Sequence, residues 1–343
     1  MNINQAIEKL VSTKEDLTEA EALEIFQSIL HGECESPAIA SFLTALRMKG
    51  ESVSELMGGY KALMDNCSFI EPNCTDMVDI VGTGGDLTGT FNISTASTFV
   101  AAAAGVCIAK HGNRSVSSKS GSADVFEKLG INLTLTPAQS KNVIETVGLG
   151  FLFAPVFHSA MRHVGEARKS MKIRTIFNIL GPICNPAKAK RQVVGVFDHA
   201  WAKKIVEVLK EAGSVHVLVV TGSDGMDEIT LTGTTLVTEL KNGEISEYSI
   251  STEELGLNSC TLNELKGGEA EENAKILMNI LEGNDKTCKQ DIVLANAGAA
   301  IYVSGKASTL KEGVDLAREA IESGKAIAKF NLLKETIKGI QTS

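Results

Sequence analysis

The sequence predicts an α/β protein in which a small all-helical domain precedes a larger α/β domain with a mostly parallel central sheet flanked by helices. Two patterns carry that expectation. About the first 65 residues hold helix signals only, and from Met77 strand-like apolar runs alternate with helical ones, as parallel strands joined by crossover helices require. Composition sets the bounds: with 43% hydrophobic and 22% charged residues, the 343-residue chain suits two globular domains, and disorder is excluded.

In the helical part, Thr18-Glu19-Ala20-Glu21 and Ser52-Val53-Ser54-Glu55 fit the capping box, in which hydroxyl and carboxylate satisfy free amides at a helix start. Ser36-Pro37 supplies a cap residue and a first-turn proline before Ala38 to Leu46, a stretch that stops near Gly50. Ile3, Ile7 and Leu10 share the apolar face of the first helix. Four short helices result, suited to a helical cap or to a subunit interface.

The alternating part reads as strand Met77 to Val81 and helix Ser94 to Ala104, then strand Val106 to Ala109 and helix Ser122 to Leu129. Strand Ile131 to Leu135 precedes helix Ala138 to Val147, and strand Phe151 to Ala154 precedes helix Ala160 to Ser170. Strand Val193 to Phe197, helix Ala200 to Glu211 and strand Val215 to Thr221 continue the series. Thr235 to Leu240 and Ile245 to Ile250 form a hairpin, because Asn242-Gly243 supplies the positive φ values of a tight turn. The tail from Glu269 is helical, and no repeat or low-complexity linker interrupts the chain.

The net charge of −9 argues against a general polyanion binder, so nucleic acid is not an expected partner. That sum hides a cationic middle: residues 82–191 hold 13 Lys and Arg against 5 Asp and Glu. Seven cysteines without a C-x-x-C pair fit reduced thiols in a cytoplasmic protein better than a disulfide framework or a zinc site. No secretory signal follows Met1, and the longest apolar run, Phe99 to Ala109, is 11 residues, too short to span a membrane.

Eight of the 31 glycines fall between 82 and 130, about twice an even share. Gly82-Thr83-Gly84-Gly85-Asp86 follows a strand and leads through Thr90, Asn92 and Ile93 to Ser94-Thr95, where a helix starts. Glycines let backbone amides approach phosphate oxygens, hydroxyls add donors and the helix start adds a positive dipole end. The spacing is neither G-x-G-x-x-G nor a P-loop, and a steric strand-to-helix turn remains the alternative. Lys110-His111-Gly112-Asn113-Arg114, with serines to Ser122, also follows a strand and opens at the same carboxyl edge. Its cations suit a phosphorylated ligand or a solvated loop. Asp227 and Glu228 are adjacent hard oxygen donors able to hold Mg²⁺ on substrate phosphates, although a D-G turn with exposed acids explains them alone. Arg162, Arg168, Lys169, Lys172 and Arg174 crowd one stretch, and Arg suits bidentate carboxylate recognition. His158 and His163 miss the i, i+4 spacing of a helical metal pair.

These motifs, together with Ser118-Lys119-Ser120-Gly121-Ser122-Ala123-Asp124, Ile173-Arg174-Thr175-Ile176-Phe177-Asn178 and Gly225-Met226-Asp227-Glu228, occur in one chain in the order found in the anthranilate phosphoribosyltransferase family of tryptophan biosynthesis. The chain resembles that family over its whole length. The resemblance implies a nucleoside-phosphorylase-like phosphoribosyltransferase fold, with residues 1–70 as the helical domain joined by part of 160–185 and 71–343 as the α/β domain. It implies a homodimer formed through the helical domain and transfer of phosphoribose from 5-phosphoribosyl-1-pyrophosphate (PRPP) to the amine of anthranilate, with two Mg²⁺ per monomer. By the same resemblance Gly82, Gly85, Asp86, Thr90, Asn92, Ile93, Ser94 and Thr95 hold pyrophosphate and ribose, while Lys110, Ser118 and Ser122 bind the rest of PRPP. Ser94 reaches one metal, and Asp227 and Glu228 hold two. Gly82, Asn113 and Arg168 contact anthranilate, the guanidinium facing its carboxylate.

Three positions depart from the family pattern: Ser159 stands where proline is expected, Cys184 where Thr is usual and Thr221 where His is frequent. Anthranilate's amine is neutral at pH 7, so no indispensable base is expected, with His111 the residue most able to serve as one. A nucleic-acid-binding relative would be basic with eroded substrate residues, and a pyrimidine nucleoside phosphorylase would bind inorganic phosphate. The two glycine- and cation-rich loops fit PRPP better.

Overall fold

A computed structural model of the chain describes residues 1–86, 88–114 and 120–341. Four helices open it: α1 (Ile3–Glu8), α2 (Glu19–Leu30), α3 (Ser36–Lys49) and α4 (Val53–Asp65). Both expected capping boxes form. Thr18 Oγ1 accepts the Glu21 amide at 3.3 Å while the Glu21 carboxylate takes the Thr18 amide at 2.8 Å. The Ser52 and Glu55 pair repeats this, and buried Glu55 also takes the Leu17 amide at 3.0 Å and the Lys49 ammonium at 3.0 Å. At α3 the cap shifts by one residue: Glu35 occupies it without a side-chain bond, and Ser36 is already helical.

The α/β part runs β1 (Val78–Gly82), α5 (Ile93–Ala103), β2 (Ile108–Gly112), α6 (Ser122–Lys128), α7 (Pro137–Val147), β3 (Leu149–Phe153) and the short α8 (Ala154–Phe157). It continues through α9 (Arg162–Met171), α10 (Ile176–Ile183), β4 (Arg191–Gly195), α11 (Ala202–Glu211) and β5 (His216–Gly222), then the hairpin β6 (Thr235–Lys241) and β7 (Glu244–Ile250). Helices α12 (Ala270–Leu281), α13 (Cys288–Val303), α14 (Leu310–Glu322) and α15 (Lys325–Gln341) complete it. Strand order is β3-β2-β1-β4-β5-β6-β7, with the first five parallel and the hairpin antiparallel. Asn242 and Gly243, at φ 52° and 86°, make the expected turn.

The strand expected at Ile131 to Leu135 is not formed. Its alternation is genuine, since Ile131, Leu133 and Leu135 are buried, but the segment lies extended on the core without a ladder partner, and β2 pairs instead with Leu149–Phe153. Period-two burial reports one covered face and not pairing. Helix α10 is not among the expected elements; the Asn178 side chain takes the Thr175 amide at 2.9 Å at its start, and Pro182 falls in its last turn.

A small cluster around Ile70, Ala109 and Leu152 covers part of β2 and β3, and two large cores cover most of the sheet. One packs α5, α6, α7 and α12–α15, with Phe99 against Phe126 and Phe330. The other joins α1–α4 to α9, α10, α11 and the opposite sheet face, around Phe26 set edge-on to Phe42 and Phe177 at 5.6 and 5.7 Å.

Candidate active site

Strands β1 and β4 are neighbours, with Gly82 opposite Gly195 at their carboxyl ends. From this pair the strand order runs outward to β2 on one side and β5 on the other, which opens the crevice where ligands bind in such sheets. Asp227 sits in that crevice. A Cβ on Gly195 would stand 1.6 Å from the Asp227 carbonyl oxygen, and one on Gly82 would stand 2.5 Å from its Oδ2. The two strand-terminal glycines therefore form the seat of this residue. Its carboxylate accepts the Gly84 amide at 2.6 Å, and Glu228 accepts the Ser94 amide at 3.1 Å, at the start of α5 where the helix dipole favours a negative charge. Buried Asn296 on α13 grips the next residue like a strand partner, taking the Ile229 amide at 2.9 Å and donating to its carbonyl at 3.0 Å.

Three carboxylates thus share one crevice. Desolvation by the surrounding protein, then the charge of Asp86, pushes the Asp227 carboxyl up to about 6. Desolvation and Asp227 push Glu228 well above its usual range, with Lys110 opposing. Hard oxygens held together against their own repulsion fit a divalent cation. Among the described residues no three His, Cys, Asp or Glu side chains make an all-protein metal cage; Asp227, Glu228 and the Ser94 hydroxyl are the donors at hand. The hydroxyls of Thr83 and Thr95 are buried without a hydrogen-bond partner among the described residues, in the segment read as a phosphate cradle. Gly85, at φ 72°, lies where a Cβ would meet the Arg174 guanidinium at 2.6 Å, and Arg174 is stacked 3.6 Å over the Phe197 ring.

Lys110 is 2% exposed and donates to the Ile80 carbonyl at 2.5 Å, so its ammonium lies under the crevice. Burial lowers its pKa against the pull of Asp79 and Glu228. Asp79, also buried, accepts the His111 amide at 3.0 Å and Asn185 Nδ2 at 2.8 Å, and burial raises it to about 6. The His111 ring lies 5.1 Å from that of His158, and its Nε2 has no hydrogen-bond partner among the described residues. Burial, then His158, lowers its pKa well below 6.5, so it is neutral at pH 7. Burial also lowers His158, whose Nε2 meets the Cys184 carbonyl at 2.9 Å.

The other sequence candidates are placed as follows. Arg114, expected among the phosphate-facing cations, is at the surface, with two 2.6 Å bonds to Glu127 and one of 3.3 Å to Asp124. Exposed Asn113 accepts the Arg114 amide on its side chain at 2.8 Å and the Ser122 hydroxyl on its carbonyl at 3.3 Å. Asn92 caps α5 with both ends of its amide engaged, Thr90 forms a β-bridge with Lys266, and Ile93 is buried. Half-buried Arg168 on α9 packs 5.9 Å over Phe177, its pKa lowered by burial, with no carboxylate paired to it among the described residues. Ser118 lies outside the described residues. Gly195, Asn296, Asp79 and Asn185 act through register or through buried bonds that local spacing does not display; Arg174 stands in the sequence as one charge of a cluster and as part of the 173–178 motif, without an assigned role.

Residues 74–327 match the a/b domain of the glycosyl transferase family and residues 4–67 its helical bundle domain. The chain is 50% identical to the anthranilate phosphoribosyltransferase of Alkaliphilus metalliredigens over 96% of its own length and 97% of that protein's. The chain belongs to the anthranilate phosphoribosyltransferase family. The member from Acetivibrio thermocellus is 49% identical, with 96% and 95% covered. The crystal structure of the anthranilate phosphoribosyltransferase from Thermus thermophilus superposes with a TM-score of 0.92 at 41% identity, covering 97% of this chain and 99% of that one. The Saccharomyces cerevisiae family member in complex with PRPP and Mg gives 0.90 at 27% identity, with 98% of each chain covered.

Proposed function

We propose that this site performs its family's reaction: the chain is a glycosyltransferase that moves 5-phosphoribose from PRPP to the amine of anthranilate and releases pyrophosphate, the second step from chorismate in L-tryptophan biosynthesis. The observation that carries the reading is the seating of Asp227 and Glu228 against Gly82, Gly84 and Ser94, which joins two acids to an amide-rich loop at the sheet's switch point.

In this reading Gly82, Gly85, Asp86, Thr90, Asn92, Ile93, Ser94 and Thr95 bind pyrophosphate and ribose, with Lys110, Ser118 and Ser122 completing the PRPP site. The unpartnered Thr83 and Thr95 hydroxyls and the start of α5 support it, as sites built for anionic oxygens. Two Mg²⁺ per monomer, held by Ser94, Asp227 and Glu228, supply positive charge to the departing pyrophosphate when bound. A Saccharomyces cerevisiae relative crystallised with PRPP and Mg, and another structure of it with 4-fluoroanthranilate, support the same ligands here. Arg168 faces the anthranilate carboxylate, with Asn113 and Gly82 beside the ring.

As the C1′–O bond of PRPP breaks, the ribose becomes oxocarbenium-like, the neutral amine attacks C1′, and the new ammonium loses one proton to water or to the departing pyrophosphate. The chain's contribution is alignment and charge: Lys110 sets the potential beneath the crevice, and Arg168 fixes the acceptor. Neutral His111 takes no proton before attack.

Residues 1–70 with part of 160–185 form the helical domain and 71–343 the α/β domain. The helical part mediates a homodimer, which the exposure of Val11 (58%) and Met48 (84%) supports. Seven free thiols support a cytoplasmic location. The test of function is PRPP- and Mg²⁺-dependent loss of anthranilate fluorescence; no consumption at saturating substrates would sink it. Light scattering at micromolar concentration tests the dimer, and a monomer mass refutes it.

A further inference from the structure

The second half of the glycine-rich loop is covered by a distant segment. Leu265 to Gly268 lies along 88–91 as a strap: Thr90 and Lys266 form an antiparallel bridge, the Phe91 amide donates to the Leu265 carbonyl at 3.3 Å and the Gly267 amide to the Gly89 carbonyl at 3.1 Å. The Lys266 ammonium bonds the Thr88 carbonyl. The approach is close enough to demand a glycine: a Cβ on Gly267 would meet the Phe91 nitrogen at 2.6 Å.

Asn273, buried in the first turn of α12, locks the strap. Its Oδ1 accepts the Gly268 amide at 2.8 Å, while its Nδ2 donates to the Gly268 carbonyl at 3.2 Å and to Asn92 Oδ1 at 2.9 Å. Asn92 Nδ2 in turn donates to the Ser120 carbonyl at 3.1 Å, at the end of the second ligand loop. A chain of amides therefore runs from α12 through Asn92 across both loops. With both ends spoken for, Asn92 fixes the two loops relative to each other.

We propose that Asn273 and Lys266 are positioning residues for the phosphoribosyl donor, acting through Asn92 and the 88–92 backbone. This rests on the reading of 82–95 as the PRPP loop. Arg168, which fixes the acceptor's carboxylate, packs on Phe177 outside this chain of amides, so the strap acts chiefly on the donor. Asn273→Asp keeps the acceptor for Gly268 and replaces the donor to Asn92 with a second acceptor; Lys266→Met keeps the stem of an exposed side chain and removes the donor to Thr88.

The test measures KM for each substrate, kcat and the rise in melting temperature caused by PRPP with Mg²⁺. Misplacement of the loop is expected to raise KM for PRPP roughly 10–100-fold in Asn273→Asp and several-fold in Lys266→Met, and to shrink the PRPP-induced rise, with KM for anthranilate within about twofold. An unchanged KM for PRPP in Lys266→Met, or equal changes in both KM values, overturns the proposal even if Asn273→Asp does not fold. If the wild-type protein shows no PRPP-dependent rise, the loop reading itself fails, whatever the variants do.

Discussion

Gly195→Ala tests whether the glycines facing each other at the ends of β1 and β4 seat Asp227, one of the acids proposed to hold the metal. Non-bonded heavy atoms settle about 3.5 Å apart, whereas the added Cβ would lie 1.6 Å from the Asp227 carbonyl oxygen and 2.4 Å from its carbonyl carbon. The obstacle is backbone, which no side-chain rotation clears, so β4 or the Asp227 peptide must move by about 2 Å. A shift of about 1 Å at a reacting centre costs on the order of 10²-fold, and overpacking adds ~1–3 kcal/mol of destabilisation. Gly82→Ala is the matched comparison, because there the added Cβ meets a carboxylate oxygen at 2.5 Å, the free end of a side chain. The expectation is that Gly195→Ala loses ~10²-fold or more in kcat/KM together with melting temperature, and that Gly82→Ala loses activity while its fold holds. The assay is anthranilate fluorescence over a Mg²⁺ titration, paired with thermal melting. A Gly195→Ala enzyme within about threefold of wild type, with unchanged Mg²⁺ dependence, would refute the seat.

The remaining outcomes are narrower. Asp79 is raised from 3.8 to about 6 in the fold, so the folded chain holds a proton that the unfolded chain releases, and its contribution to stability declines as pH rises through that window; the melting temperature of wild type relative to Asp79→Asn should fall with pH there, and a constant difference refutes it. Glu228→Gln should melt higher than wild type without Mg²⁺, since a repelled charge is gone, yet lose ~10²-fold or more in kcat; a lower melting temperature with activity intact counts against a shared cation. Arg168→Ala should raise KM for anthranilate by about 10–100-fold, the worth of a charged hydrogen bond, and leave KM for PRPP unchanged; equal effects on both substrates would remove Arg168 from the acceptor side. His111→Ala should keep both limbs of the pH–rate profile, because burial lowers the imidazole's pKa well below its ordinary value, which makes it a weak proton acceptor that does not titrate near neutrality; loss of a limb near neutrality with a fall of ~10²-fold would make it a base.

The parts of this site legible in the sequence are those with local spacing. Gly82 to Asp86 stands out as a candidate loop because several amide-exposing residues fall together after a strand, and the capping boxes at Thr18 and Ser52 announce helix starts for the same reason. Gly195 could not be read this way. It is one glycine at the end of an ordinary apolar strand, and its meaning comes from facing Gly82 across the β1–β4 ladder with Asp227 on top. Ile131 to Leu135 failed for the converse reason, since its alternation was correct about burial and silent about a partner. Arg114 shared the charge of its neighbours on paper, but its ion pair with Glu127 depends on α6 standing beside it.

The buried charges also decide how the ligands depend on one another. Asp86, Asp227 and Glu228 repel; among the described residues Lys110 and Arg174 offset them in charge and the Gly84 and Ser94 amides by hydrogen bonds, so the unliganded crevice is held together by covalent geometry and by bonds such as those of Asn296 and Gly84. A pyrophosphate entering alone meets that negative charge, and a cation entering alone finds too few oxygens to fill its coordination. Each ligand supplies what the other lacks, so binding of one must strengthen binding of the other by the same factor. Charge repulsion built into the free site thus favours the cation-bound donor over either component.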